Sequence, residues 1–163
     1  LDNPDQLDSD HDGTGDACEG EPTTVDKRAD IDPSAQIGDG SEIVRGASVG
    51  ENAVIGSGVL VSRNADVGAN CQVGDHVFIG QNVILGADCS IGSDSYLDKG
   101  VVLGINVTIG SEAIIGKDSR IDDGAVLGDG VTLGRNVHVT ANSCIPDGAS
   151  FNKDVVVDGD FCP

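Results

Sequence analysis

From Ile31 onward the chain reads in sixes without a slip: IDPSAQ, IGDGSE, IVRGAS, VGENAV, IGSGVL and on to VDGDFC. The run holds 22 hexads and ends at Cys162. The first residue of every hexad is Ile, Leu, Val or Phe, and the fifth is Ala, Ser, Cys or Val in all but the last, where it is Phe161. The second is Gly in 13 hexads, and the fourth is Asn, Gly or Asp in 19. A short period held this long describes a stacked solenoid.

The spacing has a direct physical reading. Positions five and one of successive hexads, such as Ala35 and Ile37, are two apart and point to the same side of a strand. Each strand therefore sends one small and one large apolar side chain inward. Gly and Asn between strands tolerate the positive φ of a tight corner. Three hexads close a triangular coil of 18 residues, so the run makes about seven coils, on the order of 35 Å at roughly 4.8 Å per coil.

These hexads resemble the hexapeptide-repeat family over residues 31–162. The resemblance implies an all-β fold, the left-handed parallel β-helix, and supplies its hand. That family includes acyltransferases, γ-class carbonic anhydrases and non-enzymatic members, so the fold leaves function open.

Composition fits a thin rod. There is no Met or Trp, one Tyr and three Phe, a set that fills a solenoid core but not a broad globular one. The apolar runs are too short for a membrane span. The net charge of −19 repels nucleic acid and anionic lipid. Three parts are expected: an acidic segment (1–20), a connector covering the first coil (21–30) and the β-helix (31–163).

In the acidic segment Asp8, Asp10 and Asp12 alternate, Gly13 follows, and Asp16 and Glu19 complete a D-x-D-x-D-G-x5-E calcium-loop pattern. Carboxylates at these positions and the Thr14 carbonyl can wrap one Ca²⁺. Pro4 and Pro22 flank the loop, and Gly15 stands where an EF-hand takes an aliphatic residue. The string NPDQ-x-DSD-x-DG-x-GDAC instead resembles the thrombospondin type 3 repeat. That resemblance implies further calcium ligands at Asn3 and Asp5.

The five cysteines separate by hexad position. Cys144 and Cys162 are both sixth, point outward and stack one coil apart, within reach of a disulfide. Cys71 and Cys89 are both fifth and point inward; free core thiols and a bond between them both fit this spacing. The partner of Cys18 stays open. An outward staple together with a calcium module argues for an extracellular or cell-surface setting.

Two histidines fall in the rod. His76 is fourth in its hexad, at a corner. His138 is sixth, on an outer face one coil from Arg120. Hexapeptide acyltransferases place a His beside the rod and carry a loop insertion, and this run has no insertion. The closely spaced His pair of the carbonic anhydrases is missing too. On that basis no catalytic residue is expected.

One outward ladder is apolar: Leu60, Phe78, Tyr96 and Ile114 are sixth in their hexads and 18 apart. Such a stripe marks an interface. The last hexad leaves a row of unpaired strand groups at the far end, with Phe151 and Phe161 expected to plug the final core layer. The leading expectation is therefore a non-enzymatic, calcium-stabilised extracellular solenoid that binds other copies of itself, end to end or laterally. The alternatives are a trimeric hexapeptide acyltransferase using His138 or His76, and a passive spacer in a larger surface protein.

Overall fold

The structure is a computed structural model that describes residues 22–159 and 161. It bears out the left-handed β-helix of hexapeptide repeats. Among the described residues, twenty-three two-residue strands run from Thr24–Val25 to Val156–Val157 and form three parallel sheets of eight, eight and seven strands. We name them sheet A (beginning at Thr24–Val25), sheet B (beginning at Asp30–Ile31) and sheet C (beginning at Gln36–Ile37). Every strand pairs with the strand 18 residues away, as in Phe78↔Tyr96 and Arg120↔His138.

The core is the inward pair of each strand. Ile43, Ile79, Leu97, Ile115, Ile121 and Val139 are fully buried. Fifth-position serines are buried as well, and each is satisfied. Ser119 Oγ donates to the Gly134 carbonyl at 3.0 Å and accepts from the Val137 N–H at 3.1 Å. Paired at both ends, such a hydroxyl escapes the cost of burying an unmade hydrogen bond.

Corners follow the fourth residue. From Gly40 to Asp154 every fourth-position residue has positive φ, including His76 (56°) and Glu112 (57°). Asn, Asp and Gly dominate these slots because side chains with a Cβ resist that conformation.

The rod begins earlier than the hexad count from Ile31. Thr24↔Glu42 and Val25↔Ile43 pair in parallel register. Residues 24–30 are thus a further rung, in place of the cover expected over the first coil. VDKRAD is itself a hexad with Val25 first, although Val25 remains 45% exposed. At the other end Phe151 packs partly buried against the core, whereas Phe161 is 52% exposed and is no plug. The Phe161 N–H donates to the Cys144 carbonyl at 2.8 Å.

Candidate active site

Sheet B carries the residues with chemistry. Its outward column includes Ile84, Val102, Arg120, His138 and Val156, one per coil. Arg120 and His138 are register partners, which sets their side chains one rung apart on the same face. Asp122 lies at the corner that follows the Arg120–Ile121 strand, in the second-position slot that Gly fills in most hexads.

The three side chains meet. His138 Nε2 lies 2.7 Å from Asp122 Oδ2, and Arg120 Nε donates to Asp122 Oδ1 at 2.6 Å. Both carboxylate oxygens are therefore engaged. The hydrogen bond to His138 holds the Asp122 carboxyl below its usual range; the Arg120 contact adds to this, and burial opposes it. An ionised carboxylate only accepts. The proton of the contact thus belongs to Nε2, and Nδ1 is left as the basic nitrogen of the ring. His138 is 41% exposed at its side chain and Asp122 22%, so the pair is reachable from the surface while partly shielded from water.

The second histidine lacks this support. His76 sits at a positive-φ corner between sheets C and A, its side chain 70% exposed, with Nδ1 3.7 Å from Asp94 Oδ1. That is an ion-pair distance, beyond a hydrogen bond.

The remaining expected residues are placed as follows. Leu60, Phe78, Tyr96 and Ile114 form one column on sheet A. The Phe78 and Tyr96 rings stack at 4.7 Å, and Tyr96 and Ile114 are 42% and 49% exposed. Cys144 is disulfide-bonded, and Cys162 lies outside the described residues. Cys71 and Cys89 are buried free thiols. Cys71 Sγ donates to the Gly86 carbonyl at 3.0 Å and Cys89 Sγ to the Gly104 carbonyl at 3.1 Å, the role that serine plays elsewhere in the rod. The expected calcium ligands, Asn3, Asp5, Asp8, Asp10, Asp12, Thr14, Asp16 and Glu19, also lie outside the described residues.

Asp122 was the residue sequence reasoning passed over. Its signal is an acid in the corner slot where close coil packing usually takes Gly.

A triangular left-handed β-helix built from an unbroken hexad repeat defines a hexapeptide-repeat protein. More narrowly, the chain belongs to the family described as the GMPPB C-terminal domain, which matches residues 21–117. Residues 112–147, the stretch holding Arg120, Asp122 and His138, match the bacterial transferase hexapeptide (six repeats). A comparison with curated proteins gave no match.

Solved structures share the fold. The UDP-N-acetylglucosamine acyltransferase of Francisella novicida superposes with a TM-score of 0.72 at 20% identity, over 83% of this chain and 60% of that one. The acetyltransferase domain of PglB from Neisseria gonorrhoeae FA1090, in complex with acetyl coenzyme A, gives 0.55 at 25% identity, over 82% and 55%. The chain thus spans a little over half the length of these proteins.

These findings correct the leading expectation from sequence. The transferase match across the histidine site and the likeness to the PglB domain overturn the non-enzymatic, calcium-stabilised structural solenoid, and the filament with it. The extracellular or cell-surface setting, argued from the outward staple and the calcium module, is corrected as well, because the solved structures that share the fold are bacterial acyltransferases. The error was physical: an acidic loop and an apparently bare end were weighed above His138, whose carboxylate partner had not been identified.

Proposed function

We propose that this chain is the β-helical part of an acyltransferase, with His138 as general base and Asp122 as its orienting carboxylate. The observation that carries the reading is the 2.7 Å contact between His138 Nε2 and Asp122 Oδ2. The donor class is an acyl thioester of coenzyme A, as named for the PglB domain. The acceptor is a hydroxyl or amino group on a nucleotide-linked sugar, the class named for the Francisella enzyme. Homo-oligomeric assembly belongs to the same proposal.

The chemistry follows from the free nitrogen. Nδ1 takes the acceptor's proton as its oxygen or nitrogen attacks the acyl carbonyl carbon. Asp122 stabilises the imidazolium that forms, since a fixed anion at hydrogen-bond distance favours the protonated ring. The tetrahedral intermediate collapses with cleavage of the C–S bond, and the departing thiolate takes the proton from Nδ1. Arg120 holds the second oxygen of Asp122, so the carboxylate keeps one orientation. Ile84 and Val102, stacked below Arg120 on the same face, offer apolar surface to the donor.

The test is release of free coenzyme A thiol from acetyl coenzyme A in the presence of amino- and hydroxyl-bearing sugar nucleotides. Turnover with at least one acceptor is expected. Failure with every acceptor, by protein shown to be folded, would overturn the reading.

A further inference from the structure

Cations on this acidic chain gather on one edge of the prism. Eight of the nine Lys and Arg residues lie in the segments that lead from sheet A to sheet B, and the ninth is Arg120. Seven of the eight hold the third hexad position, one per coil from Lys27 to Lys153, with Gln81 the uncharged rung. All eight are exposed. The other two edges carry acids and no Lys or Arg among the described residues.

The backbone locks this row at coil spacing. The carbonyl of each third-position residue accepts from an N–H of the next coil: Arg63 from Asn82 at 3.1 Å, Lys99 from Asp118 at 3.0 Å, Arg135 from Asp154 at 3.0 Å. Successive rungs therefore step by roughly 4.8 Å along the rod.

Four acids share the edge, and each is already engaged. Asp26 Oδ1 accepts from the Arg28 N–H at 2.9 Å, and Asp98 Oδ1 from the Lys99 N–H at 2.7 Å. Asp154 Oδ1 accepts from the Asn136 amide at 2.9 Å. Asp118 pairs with Lys117 at 3.5 Å. No other cation of the edge has an ion-pair partner among the described residues. The edge is thus a positive ridge on a chain of net charge −19. Each face of the prism is six residues wide, up to about 20 Å of extended chain. The Debye length is about 8 Å at physiological salt, so a ligand lying on the ridge meets its local sign.

We propose that this ridge binds a linear acidic polysaccharide, with carboxylate or sulfate groups laid along the row of Lys and Arg. A single row parallel to the rod axis follows an extended chain, whereas the phosphates of a nucleic-acid duplex wind away from it. Single-stranded nucleic acid is held through aromatic stacking platforms. The ridge has none, and the nearby Phe78 and Tyr96 rings stack on each other at 4.7 Å. An anionic bilayer is a plane that meets the ridge along one line only. The inference does not depend on the acyl-transfer reading, since it uses neither His138 nor Asp122.

The experiment measures binding of the full chain to heparin, which is sulfated, and to polygalacturonate, which carries carboxylates alone. Dextran is the neutral control. Saturable binding to at least one acidic polysaccharide is expected at low ionic strength, weakening as salt rises. Arg63→Gln with Arg135→Gln should weaken it about tenfold. Gln72→Glu with Ser90→Glu, on the outward column of sheet C, changes net charge by the same amount and should leave affinity unaltered. Circular dichroism checks that each variant is folded. A duplex oligonucleotide and phosphatidylserine-containing vesicles are run beside them. No binding of either polysaccharide by the folded wild type overturns the proposal. Equal loss in the two double variants overturns it, as does tighter binding of the oligonucleotide or the vesicles.

Discussion

His138 and Asp122 are sixteen residues apart in the chain, yet the coil stacks them so that Nε2 and Oδ2 are separated by 2.7 Å. A strand on one coil and the corner of the coil below contribute one group each. The contact fixes the ring tautomer and leaves Nδ1 as the basic nitrogen.

Asp122→Asn should lower kcat/KM for acetyl transfer by roughly 10²- to 10³-fold, within the 10²–10⁴ that a positioned general base supplies. The same carboxylate ties stability to pH. Its folded pKa lies below its ordinary value, so the unfolded chain binds more protons as pH approaches about 3.9. The contribution of Asp122 is present above that pH and lost as pH falls through the folded value. Melting temperatures of wild type and Asp122→Asn, followed from pH 7 to pH 2.5, should differ by a constant amount down to about pH 5 and converge below. A difference that persists unchanged to the lowest pH contradicts the assignment.

Two glycines test the two separate demands of the coil. A Cβ on Gly68 meets the Gly86 carbonyl oxygen at 2.6 Å and its carbon at 2.7 Å. Gly68→Ala should therefore cost about 1–3 kcal/mol, as overpacking does. Gly148 has open space around it but φ of +67°, a conformation that Asn52 and Asn142 already adopt. Gly148→Asn should stay within about 0.5 kcal/mol of wild type. Urea unfolding of both variants checks the pair, and equal costs contradict the distinction.

Cys71 and Cys89 should resist alkylation in the folded rod. Their side chains are 0% and 1% exposed. The contact with Cys89, together with burial, pushes the Cys71 thiol well above its ordinary value. Iodoacetamide labelling read by peptide mass spectrometry should leave both unmodified until denaturant is added. Labelling of either at native rates comparable to a free thiol contradicts their placement.

The rod was legible because each hexad repeats the same demands, and even the inward and outward faces of Cys71 and Leu60 follow from position alone. Residues 24–30 were missed although VDKRAD fits the pattern, because Pro22 and the acidic run drew the boundary too late. The site was half legible. His138 and Arg120 were read as stacked one coil apart, but a sixfold reading compares each residue with its own position in the next coil. It therefore does not bring a second-position acid next to a sixth-position histidine.

The central claim is that His138, and not His76, moves the proton. It is tested most directly by kcat/KM for acetyl transfer in His138→Ala and His76→Asn, measured beside the wild type. The account predicts a loss on the order of 10²–10⁴-fold for the first and wild-type activity for the second. Equal activity in all three proteins, or a loss confined to His76→Asn, contradicts it.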